Sequence, residues 1–141
     1  MTPEQVNLVQ QSFAKVAPIS EQAAVLFYGR LFEVAPAVEA MFPADMTEQR
    51  KKLMGTLAVV VNGLSNLTAV LPAASALAKR HVSYSAKPEH YPVVGGALLW
   101  TLEKGLGEAW TSDVADAWTA AYGTLSGYMI SEAYGKAQAA E

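Results

Sequence analysis

The sequence predicts an all-α fold, because every periodic run of apolar residues in its 141 positions repeats with the spacing of a helix. No Asn-Gly or Asp-Gly pair stands between alternating apolar runs, and no segment is repeated, so neither β-hairpins nor repeat architectures are indicated. Prolines, glycines and hydroxyl residues stand where one apolar stripe stops and the next begins. We therefore expect six main helices and one short one in a single domain, residues 1–141.

Composition excludes several functional classes. Hydrophobic residues make up 52% of the chain and charged residues 16%, which is an ordinary balance for a globular protein. The net charge is −3 and the longest basic run is Arg50-Lys51-Lys52, so nucleic acid is not an expected partner. Cysteine is absent, which excludes disulfides and thiolate metal ligands. There is no secretory signal and no apolar run near 18 residues, so a cytoplasmic protein without a membrane partner is expected.

The first two helices are delimited by polar caps and prolines. Thr2 and Gln5 form a capping-box pattern around Pro3, which predicts a helix start, and Pro18 predicts its end. A second helix is expected from about Ser20 to about Ala35.

The next elements are predicted in the same way. Pro36 begins a short helical turn that leads to Met41-Phe42-Pro43. Thr47 is expected to cap a third helix that runs to about Ser65.

The fourth helix ends near His81, and Pro88 is expected to open a fifth that runs to Leu106, with Gly107 as its C-terminal glycine. Thr111 or Ser112 caps the last helix. The inner faces of the other helices are predicted to be Val6, Val9, Phe13 and Val16; Ala24, Phe27, Tyr28, Leu31 and Phe32; Gln49, Leu53, Leu57, Val60 and Leu64; and Val114, Trp118, Ala121, Tyr122, Leu125, Met129 and Glu132.

His81 is the first candidate for chemistry, and His90 is the only other histidine. His81 ends an apolar stripe of helical spacing formed by Val70, Ala74, Leu77 and Ala78. An imidazole in apolar surroundings can coordinate a metal ion. The alternative is a partly buried core histidine near a helix C-terminus, where the helix dipole favours a cation.

Several motifs together resemble one family. They are Phe27-Tyr28 followed by Leu31-Phe32, Met41-Phe42-Pro43, Asn66-Leu67, Lys79-Arg80-His81, His90-Tyr91-Pro92-Val93-Val94-Gly95, and Ala117-Trp118 followed by Ala121-Tyr122-Gly123. In this order they resemble the single-domain bacterial haemoglobins and the globin domain of flavohaemoglobins. The resemblance covers essentially the whole chain and implies a globin fold packed around a pocket for non-covalently bound haem b.

The resemblance also implies roles for individual residues. His81 matches the proximal histidine that binds haem iron, and Phe42 matches the phenylalanine that packs on the haem. Gln49, 32 positions before His81, matches the distal residue above the iron, and Leu53 matches the apolar distal wall. Tyr28 matches the tyrosine that reaches the bound ligand.

Other haem contacts follow from the same resemblance or from residue type. Tyr91 matches a proximal tyrosine, and Leu77 and Val94 are expected in the pocket wall. Lys52 and Arg80, with Lys51 and Lys79, are placed to meet the haem propionates, although solvated surface charge is an equal alternative for each.

One match is imperfect. The family places a glutamate 11 residues after the tyrosine of the Ala-Tyr-Gly motif, where this chain has Ala133. Glu132, one position earlier, lies on the helix stripe and is the candidate for a proximal His–Tyr–Glu network.

The distal pair also follows from residue chemistry. A tyrosine on the inner face of a helix buries its ring, and its hydroxyl then needs a partner. Tyr28 alone fits a core tyrosine whose oxygen reaches water. With Gln49 on the facing helix, a pair of hydrogen-bond donors for a ligand is the better interpretation.

Three functions are compatible with these features. The first is a haemoglobin that binds dioxygen and other diatomic gases (NO, CO) for storage, delivery or scavenging. The second is a nitric oxide dioxygenase that relies on an external reductase, since 141 residues hold no flavin and nicotinamide domains. The third is a haem-free or sensory module with a globin fold, which the Tyr28, Gln49 and His81 set disfavours. A monomer or a homodimer fits each of them.

Overall fold

The computed structural model describes residues 1–83 and 90–130, without the side chains of 67–69, 80, 82 and 83. Within these ranges the chain is all-α and contains no strand, which confirms the predicted fold class. The six helices are α1 (Pro3–Val16), α2 (Ser20–Val34), α3 (Thr47–Asn62), α4 (Leu67–Ser83), α5 (His90–Leu106) and α6 (Ser112–Ile130). None of the helices within the described ranges is long and apolar enough to cross a membrane.

The N-terminal capping box forms as predicted. The Thr2 hydroxyl accepts a hydrogen bond from the backbone N–H of Gln5 at 3.1 Å, and the Gln5 side chain accepts one from the N–H of Thr2 at 3.0 Å. Two of the amide groups that a helix start leaves unbonded are thereby satisfied. After α1 a short 3-10 turn, Ala17–Ile19, carries the chain past Pro18 into α2.

The start of α3 differs from the prediction. Met46 is the capping residue and Thr47 is already the first helical residue. The Asp45 carboxylate accepts from the Thr47 N–H at 3.0 Å, and this bond holds the pKa of Asp45 below its usual value. A charged oxygen two residues upstream has replaced the expected hydroxyl cap.

The end of α3 also differs, because the helix stops at Asn62 rather than near Ser65 and gives way to a 3-10 turn, Leu64–Asn66. Gly63 lies at this corner, where a Cβ would come within 2.1 Å of a Val70 methyl carbon. Because Gly63 has no side chain, Val70 of α4 can pack directly against the turn that joins α3 to α4.

The other helix ends agree with expectation where they are described. Gly107 follows α5 with φ of +54°, the left-handed conformation that glycine adopts without strain. The Thr111 hydroxyl accepts from the N–H of Val114 at 3.2 Å and caps α6. Pro88, expected to open α5, lies outside the described residues. The expected short turn is a 3-10 helix, Pro36–Met41.

Every predicted inner-face residue within the described ranges is buried or partly buried. Most of the apolar ones belong to two separate clusters rather than one. The first, larger cluster takes its buried residues from α1, α2, α3, α5 and α6 and from the turns beside α3. The second cluster consists of Ala74 and Ala78 of α4, Tyr91 of α5 and Met129 of α6.

Two polar contacts tie α1 into the first cluster. Trp118 of α6 donates its indole N–H to the buried hydroxyl of Ser12 at 2.8 Å. Gln10 donates a side-chain amide to the carbonyl of Val61 in α3 at 3.0 Å. Both bonds satisfy groups that would otherwise be costly to take out of water.

Candidate functional site

Tyr28 and Gln49, far apart in sequence, meet in the structure. The side-chain amide of Gln49 donates a hydrogen bond to the Tyr28 hydroxyl at 3.2 Å. Tyr28 is 6% exposed, and Gln49 is partly buried near the start of α3. The amphipathic pattern of α2 turns the tyrosine ring inward, and the packing of α3 on α2 brings the glutamine to its oxygen.

Burial raises the pKa of Tyr28, and the hydrogen bond from Gln49 offsets part of that rise. The phenol therefore stays protonated at neutral pH. A phenol oxygen that accepts from Gln49 still has its own proton to donate. Among the described residues that proton has no acceptor, so the hydroxyl can serve a molecule beside it.

Aromatic rings surround Tyr28. The Phe42 ring lies edge-on to it, with centroids 5.4 Å apart, and the Phe32 ring lies 5.9 Å away. Phe32 and Phe42 are themselves 5.5 Å apart, so the three rings form one group. These rings lower the polarity around the Tyr28–Gln49 pair, and a hydrogen bond is stronger in such surroundings than in water.

His81 lies on the inner stripe of α4 and is partly buried. Its Nδ1 is 2.7 Å from the backbone carbonyl oxygen of Leu77, one turn earlier. A carbonyl can only accept, so Nδ1 carries the proton, and in the neutral ring the lone pair lies on Nε2. A histidine that donates Nδ1–H to a carbonyl in this way is oriented to bind a metal through Nε2.

Tyr91 packs beside His81. The two rings are tilted by 31°, with centroids 6.2 Å apart, and Tyr91 is 7% exposed. The carbonyl oxygen of Tyr91 accepts a hydrogen bond from the Tyr122 hydroxyl at 2.5 Å. Glu132, the third candidate for this side, lies outside the described residues.

The other predicted pocket residues are partly buried apolar side chains. Leu53 and Val94 pack against the first cluster, whereas Leu77 packs against the second. A partly buried leucine or valine on an inner helix stripe still has an apolar surface that a bound group can cover.

The three predicted lysines lie at the surface. Lys52 and Lys79 are exposed, and Lys51 forms a loose ion pair with Glu48 at 3.9 Å. The side chain of Arg80 lies outside the described residues. The propionate contacts of these residues stay a prediction.

The arrangement of α3 and α4 fits a flat apolar cofactor. The two helices follow one another in the chain, yet in the described residues α3 packs on α1 and α2 while α4 packs on α6. The Tyr28 side belongs to the first cluster and Tyr91, beside His81, to the second. A planar apolar group with one imidazole ligand would cover the half-buried leucines and valine and complete both clusters. The fold and these residues define a class, an all-α protein with a part-buried Tyr–Gln pair beside one helical cluster and a partly buried imidazole beside the other.

Comparisons with known proteins identify the family of this chain. The Globin family model matches residues 25–129. A flavohemoprotein of Rhodopirellula baltica is 32% identical over 133 residues, which are 92% of this chain and 33% of the relative. A flavohemoprotein of Vibrio cholerae is 31% identical over 135 residues, 92% of this chain and 34% of the relative. The structure of a bacterial globin from Campylobacter jejuni matches with a TM-score of 0.85 and 25% identity, covering 97% of this chain and 99% of that one.

The chain belongs to the globin family. Family membership and the flavohemoprotein similarity support a haem cofactor and the binding of diatomic gases. The chain spans about a third of the length of the flavohemoproteins it matches.

The contact between Tyr122 and Gly95 was not predicted from the sequence. A Cβ on Gly95 would come within 2.6 Å of the Tyr122 ring. The ring, on α6, therefore packs directly against the backbone of α5 at this glycine. Both residues belong to the motifs that carry the family resemblance, and this membership was the sequence feature that could have indicated their importance.

Proposed function

We propose that this chain binds dioxygen at a non-covalent haem b, with His81 as the iron ligand and the Tyr28–Gln49 pair as hydrogen-bond donors to the gas. The haem iron, when bound, supplies the binding position for the gas and places partial negative charge on it. The single observation that carries the proposal is the 3.2 Å contact between Gln49 Nε2 and the Tyr28 hydroxyl.

The geometry of the pair supports a role in holding dioxygen. Because Gln49 donates to the phenol oxygen, the phenol proton is directed away from the glutamine. A hydrogen-bonded chain of this kind polarises its members and strengthens the terminal donor. A neutral tyrosine donor favours a ligand that carries charge, such as dioxygen, over one that carries little, such as carbon monoxide.

His81 supports the other half of the proposal. The bond from its Nδ1 to the Leu77 carbonyl sets the ring orientation and makes Nε2 a better metal ligand. The apolar residues of α3, α4 and α5 named above would keep water from the bound haem. Lys52 and Arg80 are proposed at the haem edge.

A second candidate is nitric oxide dioxygenation, which the similarity to flavohemoproteins favours. In that reaction one nitric oxide and one dioxygen combine with one electron to form nitrate. We propose a reductase partner as the source of the electron. The Tyr28–Gln49 pair would hold dioxygen in place for nitric oxide to react.

The two functions are distinguished by one experiment on haem-loaded protein. The reduced protein is exposed to dioxygen, its absorption spectrum is recorded, and nitric oxide is then added in equimolar amount. A stable dioxygen spectrum supports binding, and nitrate formed in excess over the haem, when further nitric oxide and a reductant for the iron are supplied, supports the dioxygenase. A protein that takes up no haem, or whose reduced spectrum dioxygen does not alter, contradicts both.

A further inference from the structure

Tyr122 is held at two points in the structure. Its hydroxyl donates to the carbonyl of Tyr91 at 2.5 Å, in the first turn of α5. Its ring lies against Gly95, with no room for a side chain there. Burial raises the pKa of Tyr122, so the hydroxyl remains a neutral donor. Tyr122 thus fixes the start of α5 against α6.

Tyr91 connects this point to the imidazole of His81. Its backbone carbonyl is held by Tyr122, and its ring lies 6.2 Å from the His81 ring. The ring is buried in the second cluster among residues of α4 and α6, so it has little freedom to reorient. A shift in the backbone of Tyr91 would therefore move the ring that contacts His81.

The packing partners of α4 and α5 differ among the described residues. In the described residues α4 packs mainly on α6, while α5 packs on α2, α6 and α1. Tyr91 is the buried residue of α5 that belongs to the same cluster as Ala74 and Ala78 of α4. The rotation of the His81 ring about its own bonds is thus limited by the Leu77 carbonyl and by the Tyr91 ring.

We propose that Tyr122 is a positioning residue for the imidazole of His81, acting through the backbone and ring of Tyr91. This inference rests on the proposed role of His81 as the iron ligand. Among the described residues no hydrogen bond or ring pair joins Tyr122 to His81, and Tyr122 is not proposed to supply a group to the cofactor. Its function is to hold the ring plane of the ligand, which sets how strongly the nitrogen binds iron.

The test compares two haem-loaded variants, and a third variant mixed with haem, with the parent protein. Tyr122→Phe removes only the hydroxyl that holds the Tyr91 carbonyl. Ser12→Ala is the matched control, because it removes the acceptor of another buried bond from α6, the 2.8 Å bond from Trp118. His81→Ala tests the proposed function itself. Two readouts are used: the iron–histidine stretching band of the reduced protein, and the rate of haem transfer to excess apomyoglobin.

Tyr122→Phe is expected to shift the iron–histidine band and to raise the haem transfer rate by about three- to tenfold. This effect is smaller than the roughly 10- to 100-fold loss of metal affinity that follows when a residue bonded directly to a metal ligand is replaced. Ser12→Ala is expected to lower the melting temperature without moving the band. An unchanged band in Tyr122→Phe, or an equal shift in both variants, overturns the inference.

A second variant keeps the inference testable if Tyr122→Phe fails to fold. Tyr91→Leu removes the ring that transmits the effect and should shift the same band on its own; an unchanged band overturns the inference. Where both variants fold, Tyr122→Phe should add no further shift in the Tyr91→Leu protein. If His81→Ala retains the band, the proposed function fails. If His81→Ala loses it while Tyr122→Phe is silent, only the inference fails.

Discussion

The amide of Gln49 donates to the hydroxyl of Tyr28, so the only proton of that phenol is left to serve another molecule. The contact joins α2 to α3 across 21 residues of sequence and lies next to the ring of Phe42.

Tyr28→Phe should accelerate dioxygen release while leaving association nearly unchanged. The lost bond to a charged acceptor is worth roughly 1.5–3 kcal/mol, which corresponds to about a 10- to 100-fold faster release. Stopped-flow dissociation rates measure this directly. Carbon monoxide, which carries less charge, serves as the control gas. Equal acceleration of both gases would mean that Tyr28 acts by its bulk.

Gln49→Leu should also accelerate dioxygen release, but the two substitutions should not be additive. Gln49 contacts Tyr28 directly, so removing the amide also removes the bond that orients the phenol proton. Contacting residues of this kind show coupling energies of about 0.5–3 kcal/mol in double-mutant cycles. The measurement is the release rate in both single variants and in the double variant. Strict additivity would show that the two side chains act independently.

His81→Ala should abolish stoichiometric haem binding, because the oriented Nε2 is the proposed iron ligand. Added imidazole should restore part of the binding by occupying the space that the ring leaves. Haem titration followed by absorbance measures the stoichiometry. His90→Ala is the comparison, since it changes the other histidine. Normal binding by the His81 variant together with loss in the His90 variant would refute the assignment.

Gly95→Ala should destabilise the protein, because the new Cβ would lie 2.6 Å from the Tyr122 ring. Overpacking of this kind costs about 1–3 kcal/mol, against a gain of about 0.5–1 kcal/mol from replacing glycine in a helix. Gly96→Ala is the matched control on the same helix, since nothing lies within 4 Å of its Cβ. The control should raise stability by about 0.5–1 kcal/mol in urea unfolding. Equal effects of the two substitutions would contradict the close packing.

Asp45→Ala should lower stability at neutral pH and have little effect in acid. The pKa of Asp45 is lowered in the folded protein by its bond to the Thr47 N–H. Its contribution is therefore present above the unfolded value of about 3.9 and disappears as the pH falls through the folded value. Urea unfolding of both proteins at several pH values measures the difference. A difference that persists at low pH would contradict the charged cap.

Much of this protein could be predicted from local sequence patterns. Helical spacing identified α1 to α6 and their inner faces, because amphipathic periodicity depends on neighbours within one helix. The capping box at Thr2 and the glycine at position 107 are equally local, and both are present in the structure. Thr47 was assigned wrongly as the cap, because the Asp45 carboxylate accepts from its backbone N–H and the helix begins one residue earlier, with Met46 as the capping residue.

The sequence by itself therefore determined the fold class, the family and the inward position of Tyr28, Gln49 and His81. Only the tertiary structure decided which groups meet: the Gln49 amide with the Tyr28 oxygen, the Tyr122 hydroxyl with the Tyr91 carbonyl, and the Tyr122 ring with Gly95. The physical reason is that helix periodicity specifies which face is buried, whereas the angle and distance at which two faces cross depend on the shapes of many side chains together. The role of Glu132 stays a prediction.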